Sequence, residues 1–187
     1  YPLKGNIFIQ GKNYDDLAEK SIHEHFAVAF QEHHIFNLSI RDNFKMLYED
    51  IIDEEIYISL ENVYLLDFVK QVGLDYIVGN DGNKLSGGQK HRLQLAICLA
   101  KQKDIILLDE PTAGLDIKTT NNICSQLMEK YQKQTMIVTS HDISLLRFFD
   151  DIIICGEEKI IEQGNIKKLL LREDSYLNKL IRYKNFI

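Results

Sequence analysis

Two continuous apolar runs, IILLD at residues 105–109 and TMIVTS at residues 135–140, constrain the fold of this chain more than any other feature. Each has the length of a buried strand, and a helix-length segment at residues 117–132 lies between them. A third compact run, AVAF at residues 27–30, has the same character. Apolar strands that alternate with helices are typical of a parallel sheet covered on both faces. The sequence therefore predicts an α/β fold built on such a sheet.

Helical patterning dominates the middle of the chain. Residues 59–73 are predicted to form one helix that ends at Gly73, because glycine commonly follows the last helical turn. A second helix is predicted to start at Ser86, since the apolar residues after it recur at helical spacing. Near the C-terminus, residues 151–164 predict a hairpin, and the tail from Asn165 predicts two short helices.

Composition narrows the class of protein. The chain has 187 residues and a net charge of -6, which suits one domain, or one domain with two lobes, and argues against a protein that coats nucleic acid. No apolar run reaches the length needed to cross a bilayer, and no secretory signal is visible. The three cysteines, Cys98, Cys124 and Cys155, lie in apolar stretches and are expected to be buried thiols.

The segment SGGQ, residues 86–89, has the S-x-x-Q form of a capping box at a helix start. Its two glycines leave backbone N–H groups uncovered, so this helix start could also bind an anion. Taken alone, an ordinary helix cap is the better interpretation.

Acidic residues end the first apolar run. Asp109 and Glu110 are expected at the carboxyl edge of the sheet, where open α/β sheets bind ligands. One acid there can hold Mg²⁺ and a second can orient or deprotonate a water molecule. The next strand ends in TSHD and brings His141 to the same edge. Each residue alone is more often structural, so the inference depends on their combination.

In chain order, these motifs resemble the ATP-binding cassette (ABC) ATPase family. They are LSGGQ, an apolar strand ending in Asp-Glu-Pro, AGLD, and a strand ending in TSHD. The resemblance covers essentially the whole chain, and the segment IFNLSIRDN is more like exporters than importers. It implies a P-loop NTPase-type parallel sheet core, incomplete here, with an inserted α-helical signature subdomain. Residues 1–30 and 102–187 would form the core lobe, and residues 31–101 the helical lobe.

The resemblance also implies a role for each matching residue. Asp109 would serve Mg²⁺ through water, Glu110 would be the general base, and His141 would be the switch histidine at the γ-phosphate. Gln31 would contact the metal or the attacking water and sense the membrane domain. The remaining residues would act in a head-to-tail dimer. Asp116, in the D-loop, would cross the dimer interface. The signature residues would touch a nucleotide held by the partner; they are Leu85, Ser86, Gly87, Gly88 and Gln89.

These roles define the expected cofactors and partners. ATP and Mg²⁺ are the implied cofactors, and the signature would touch a nucleotide held by a second ABC ATPase domain. A transmembrane domain is the other implied partner, which would hold the chain at the cytoplasmic face of a membrane. No nucleic-acid partner is expected. Asn80, just before the signature, stands where exporters of this family usually carry glutamate, which bears on coupling to the membrane domain.

The phosphate-binding loop of such a protein needs the pattern G-x-x-x-x-G-K-[ST]. The segment GNIFIQGKN, residues 5–13, does not match it. Five residues separate its glycines, Asn13 replaces the metal-binding hydroxyl, and NIFI favours a strand. The true loop is expected upstream of Tyr1.

Two functions follow from this. The first is an ATPase domain that couples ATP binding and hydrolysis to transport, chiefly export, with this stretch alone inactive. The alternative is a natively truncated, non-catalytic cassette that donates its LSGGQ face to a partner's ATP site. A soluble ABC protein of translation or DNA repair is disfavoured by the exporter-like segment.

Overall fold

The computed structural model describes residues 5–9, 11–18, 24–31, 34–156 and 158–184. The strands are β1 (Phe8–Ile9), β2 (Lys12–Asn13), β3 (Phe26–Ala29), β4 (Ile105–Asp109), β5 (Thr135–Thr139), β6 (Asp151–Gly156) and β7 (Lys159–Asn165). The α-helices are α1 (Ile40–Lys45), α2 (Asp53–Asn62), α3 (Leu66–Val72), α4 (Gly87–Cys98), α5 (Ile117–Lys130), α6 (Ile166–Leu170) and α7 (Tyr176–Lys184). None of these helices is long and apolar enough to cross a membrane.

A three-stranded parallel sheet in the order β3-β4-β5 forms the centre of the fold. Ala29 pairs with Leu108, and Asp109 pairs with Thr139, so all three strands end at one edge. The predicted α/β architecture is therefore confirmed. One face of the sheet packs in the main core with side chains of α4 and α5. On the opposite face Val28 is 41% exposed and Ile137 55% exposed, so the described residues cover only one side.

The segment between β3 and β4 is helical, as predicted. Its core is apolar, and the completely buried side chains include Ile40, Phe44, Ile56, Leu60 and Leu93. The same core continues into the sheet, because Ile106 and Leu108 belong to one cluster with these residues.

The prediction of one helix over residues 59–73 is wrong. α2 ends at Asn62, and Tyr64 takes a left-handed φ of 56° before α3 starts at Leu66. The break allows Val63 and Leu65, which are 0% and 1% exposed, to enter the core on either side of Tyr64. The predicted end at Gly73 is confirmed, since Gly73 has a φ of 83° at the C-cap of α3.

The segment GNIFIQGKN contains a small hairpin rather than a phosphate loop. β1 and β2 pair antiparallel, with Phe8 opposite Asn13 and Ile9 opposite Lys12. Gly11 has a φ of 79°, which suits a tight turn between the two strands. The lysine of this segment is therefore part of a strand.

A second, smaller core lies near the C-terminus. β6 and β7 form the predicted hairpin, and α6 and α7 are the two predicted short helices. Ile154, Ile166, Leu169 and Leu177 are buried together between them. Glu157, which follows β6 in the sequence, lies outside the described residues.

The expectation of three buried thiols is wrong for one cysteine. Cys98 and Cys124 are buried, and burial raises the pKa of the Cys98 thiol to about 12. Cys155 is exposed. Side chains alternate along a strand, so the burial of Ile154 turns its neighbour outward.

The left-handed conformation of Tyr64 gives a stability test. We expect Tyr64→Gly to raise the free energy of unfolding by about 0.5–1 kcal/mol, because glycine adopts positive φ without strain. Tyr57→Gly is the matched control, a half-exposed tyrosine inside α2, and should lower stability by about 1 kcal/mol. Urea unfolding of both variants measures the two effects. A loss of stability in Tyr64→Gly would contradict the strain at this position.

Candidate functional site at the carboxyl edge of the sheet

Asp109 is the last residue of β4 and lies at the exposed edge of the sheet. Its carboxylate oxygen Oδ1 accepts a hydrogen bond from the Thr139 hydroxyl on the neighbouring strand. The parallel register fixes this contact, because Asp109 and Thr139 are direct partners in the ladder. One carboxylate and one hydroxyl oxygen thus lie side by side, and Mg²⁺ prefers such oxygen ligands.

Glu110 follows in a strained backbone conformation, with a φ of 49°. Its N–H donates to the Thr139 carbonyl at 3.1 Å, which extends the ladder by one residue. Its side chain is only 16% exposed and turns towards the end of β5. There the carboxylate accepts hydrogen bonds from the His141 N–H at 2.9 Å and the Ser140 hydroxyl at 3.3 Å. Strained residues held in this way cluster at functional sites.

The His141 imidazole is fully exposed, and its Nε2 lies 3.6 Å from Glu110 Oε1. The fold therefore brings together three of the predicted site residues, Asp109, Glu110 and His141. Gln31 lies two residues after the end of β3 and is exposed. Because Ala29 pairs with Leu108, Gln31 emerges from the same edge of the sheet as Glu110.

The signature residues lie at the start of α4. Ser86 is the N-cap, and its hydroxyl accepts from the Gln89 N–H at 3.2 Å. In return, the Gln89 side chain accepts from the Ser86 N–H at 2.8 Å, so the predicted capping box is confirmed. Ser86, Gly87 and Gly88 are exposed or half-exposed, and Leu85 is half-buried against the main core.

The start of α4 also contacts the loop that follows Glu110. A Cβ atom placed on Gly88 would lie 3.4 Å from the Leu115 side chain, an ordinary van der Waals distance, so the two segments lie close together. Two hydrogen-bonded turns shape the loop itself. The Ala113 N–H donates to the Glu110 carbonyl in the first turn, and the Leu115 N–H donates to the Thr112 carbonyl in the second.

Asp116 ends this loop as the N-cap of α5. Both of its carboxylate oxygens are used within the chain, one by the Thr119 N–H at 2.9 Å and the other by the Thr119 hydroxyl at 2.6 Å. These hydrogen bonds lower the pKa of Asp116 below its ordinary value. Asp116, which the resemblance assigns to a dimer interface, therefore also caps a helix within its own chain.

Several residues of the site escaped the sequence analysis. The hydroxyls of Thr139 and Ser140 hold the two acidic side chains, and His91 contacts the carbonyl of Pro111 directly after Glu110. A signal for Thr139 and Ser140 was present in the sequence, because both belong to the TSHD segment at the end of a predicted strand. Side chains at that position lie close to the end of the neighbouring strand. No local pattern pointed to His91, because its partner lies 20 residues away.

A cavity of about 480 Å³ lies elsewhere, between the end of α2 and α5. Its lining is polar and consists of Asn62, Tyr64, Asn122, Ser125, Gln126, Glu129 and Lys130. None of these residues belongs to the predicted site, which occupies an open edge rather than an enclosed pocket. Within the described part of the chain, no three His, Cys, Asp or Glu side chains converge in a metal-binding cluster.

The chain belongs to the ABC transporter family, whose family model matches residues 1–113. It is 34% identical over 176 residues to an ATP-dependent lipid A-core flippase of Haemophilus influenzae (strain 86-028NP), covering 92% of this chain and 30% of that protein. It is 32% identical over 170 residues to the Beta-(1-->2)glucan export ATP-binding/permease protein NdvA of Agrobacterium vitis, covering 90% of this chain and 29% of that protein.

A solved structure of a bacterial Atm1-family ABC exporter with ATP bound matches the fold with a TM-score of 0.91 and 28% identity. The match covers 98% of this chain and 32% of the exporter chain. The chain therefore spans about a third of the length of these relatives. The predicted family, its exporter-like character and the P-loop NTPase-type fold class are confirmed.

The lowered pKa of Asp116 gives a pH test. A depressed pKa in the folded state stabilises the fold above the unfolded-state pKa of about 3.9, and this stabilisation is lost as pH falls through the folded-state pKa. Asn can cap α5 but cannot titrate. We therefore expect Asp116→Asn to be less stable than the parent at pH 7, with the difference shrinking below about pH 4.

Thermal unfolding between pH 2 and 7 measures this difference. Asp50→Asn, at an exposed position outside the helices, controls for the loss of one negative charge. Parallel curves for Asp116→Asn and the parent would mean that the cap does not depend on the charge of Asp116.

Proposed function

We propose that this chain is the ATPase part of an ABC exporter and couples ATP binding and hydrolysis to transport across a membrane. The observation that carries the proposal is the Glu110 carboxylate, held at the sheet edge by the His141 N–H and the Ser140 hydroxyl, next to Asp109. In this proposal residues 1–30 and 102–187 form the core lobe. Residues 31–101 form the helical lobe, which carries Gln31 at its start and the signature near its end.

Glu110 is suited to be the general base. Its backbone and both carboxylate oxygens are fixed, so it can accept a proton from a water molecule at a defined position without reorganising. ATP would supply the phosphoryl group that such a water molecule attacks. The exposed imidazole of His141, close to the same carboxylate, is placed to hydrogen-bond a phosphate oxygen. Gln31 emerges nearby and can orient either the water molecule or a metal ligand.

Asp109 would hold Mg²⁺ through water, and Thr139 keeps its carboxylate oriented. The single carboxylate fits this ion, because Mg²⁺ at phosphate sites retains waters and takes only one or two protein carboxylates. When bound, Mg²⁺ would neutralise charge on the phosphates. Asp109 would hold this ion at the sheet edge that also carries Glu110 and His141.

The signature would serve a second cassette. Leu85 packs against the core at the start of α4, while Ser86 and Gly87 are exposed and Gly88 is half-exposed. Such a helix start attracts a phosphate group, and Gln89 locks its geometry. In a head-to-tail dimer this phosphate would belong to the partner's ATP, with Asp116 next to the interface.

The membrane partner is proposed from the relatives. The two relatives from Haemophilus influenzae and Agrobacterium vitis are named as a flippase and as an export ATP-binding/permease protein, and both names describe transport across a membrane. We propose that a transmembrane domain holds this chain at the cytoplasmic face, and that Gln31 and the nearby helical lobe contact it.

The phosphate-binding loop would come from residues before Tyr1. The sheet face that the described residues leave exposed supports this proposal, because a parallel sheet normally carries helices on both faces. Val28 and Ile137 are apolar and exposed on that face, where a helix following the loop could pack.

Substitution of the base tests the proposal directly. In the full-length protein that contains this chain, Glu110→Gln should reduce ATP hydrolysis by about 100-fold or more and retain ATP, because the amide cannot accept the proton. His141→Ala should lower turnover and leave nucleotide binding largely intact. Steady-state hydrolysis and equilibrium ATP binding measure these effects. Glu173→Gln, an exposed residue after α6, is the matched control. Hydrolysis at the parental rate in Glu110→Gln would refute the assigned base.

The proposed upstream loop gives a second test. Residues 1–187 alone should bind Mg-ATP weakly and show no turnover, and a longer chain that includes the upstream residues should gain both. Binding of a fluorescent ATP analogue to the two chains measures the difference. An extended chain without ATP affinity would contradict the enzyme proposal.

A further inference from the structure

His91 is a buried histidine that the proposed mechanism does not use. It lies on α4, two residues after Gln89, and is 5% exposed. Its Nε2 lies 2.7 Å from the carbonyl oxygen of Pro111. A carbonyl only accepts hydrogen bonds, so this contact requires the proton on Nε2. A helix that carries the signature is thereby bonded to the residue directly after Glu110.

Hydrogen bonds on both sides of Glu110 hold its backbone. On the upstream side, the Glu110 N–H is fixed by the Thr139 carbonyl. On the downstream side, Pro111 has no N–H to donate, so its carbonyl is its only backbone group for a hydrogen bond. His91 binds that carbonyl. The Glu110 carbonyl also accepts a hydrogen bond from the Ala113 N–H at 3.1 Å, within the loop. The strained φ of 49° at Glu110 therefore lies between one hydrogen bond to β5 on the upstream side and two on the downstream side, of which one comes from α4.

α4 also lies close to the same loop one turn before His91. A Cβ added to Gly88 would lie 3.4 Å from the Leu115 side chain, an ordinary van der Waals distance. The direction of α4 is fixed independently, because Leu93, Leu95 and Ala96 are completely or almost completely buried in the main core. His91 therefore contacts Pro111 from a helix whose direction is fixed by the main core.

We propose that His91 is a positioning residue for Glu110. By holding the Pro111 carbonyl, it keeps the strained backbone of Glu110 in the conformation that presents its carboxylate to His141 and Ser140. The inference rests on the proposed role of Glu110 as the base. It adds a residue of the signature helix to the support of the hydrolytic site in the same chain.

The competing explanation is a histidine that only stabilises packing. The two explanations differ in what a substitution changes. Loss of packing lowers stability and the amount of folded protein but leaves the turnover of each folded molecule unchanged. Loss of positioning lowers kcat per folded molecule and leaves ATP affinity unchanged, since the residue does not contact the nucleotide in this proposal.

Two substitutions of His91 by amide side chains of different length test the inference in the full-length protein. His91→Gln keeps a donor that can reach the Pro111 carbonyl, and His91→Asn carries the same amide one methylene shorter. We expect kcat near the parental value for Gln and a roughly ten-fold lower kcat for Asn, with unchanged ATP affinity. His91→Leu, which has no donor, should behave like Asn and replaces it if Asn does not fold. His25→Gln, at an exposed histidine before β3, is the control.

The measurements are kcat, the ATP dissociation constant and the thermal midpoint, each per folded molecule. Equal kcat for the Gln, Asn and Leu variants would overturn the inference, as would a loss of ATP affinity without a loss of kcat. Glu110→Gln in the same assay separates the two proposals. If it still hydrolyses ATP, the proposed function has failed; if it does not, equal kcat values count against His91 alone.

Discussion

The hydrogen bond from the Glu110 N–H to the Thr139 carbonyl is the interaction on which the candidate site depends. It extends the ladder between β4 and β5 one residue past the last strand pair. Glu110 is thereby turned into a left-handed conformation, and its carboxylate meets the amide of His141 rather than solvent. Without this register, Glu110 would be an ordinary solvated side chain after the end of β4.

α4 connects this edge to the helical segment between β3 and β4. Its first turn carries the signature, and His91 in its second turn contacts Pro111. Its apolar residues are buried in the core that this segment shares with the sheet. A single helix therefore carries both the capping box of Ser86 and Gln89 and the histidine that contacts the backbone beside Glu110.

The predictions from sequence succeeded where the signal was local. β4 has the predicted bounds, the capping box of Ser86 and Gln89 forms, and Gly73 ends a helix. They failed where contacts between residues far apart in the sequence determine the local structure. The helical pattern across Tyr64 gave no sign of a break, because the break is stabilised by burial of its neighbours and by the Arg92 guanidinium, which donates to the Tyr64 carbonyl at 2.5 Å. Cys155 looked buried because its neighbours are apolar, but strand alternation exposes it.

The sequence by itself determined the family, the order of the strands along the chain, and the identity of Asp109, Glu110 and His141 as site candidates. Motif order and apolar runs are properties of the chain, so they need no fold to be recognised. Only the tertiary structure decided how these residues are held. The hydroxyls of Thr139 and Ser140, and the imidazole of His91, act across gaps of 20 to 30 residues. Such contacts follow from strand register and helix packing, which no local pattern encodes.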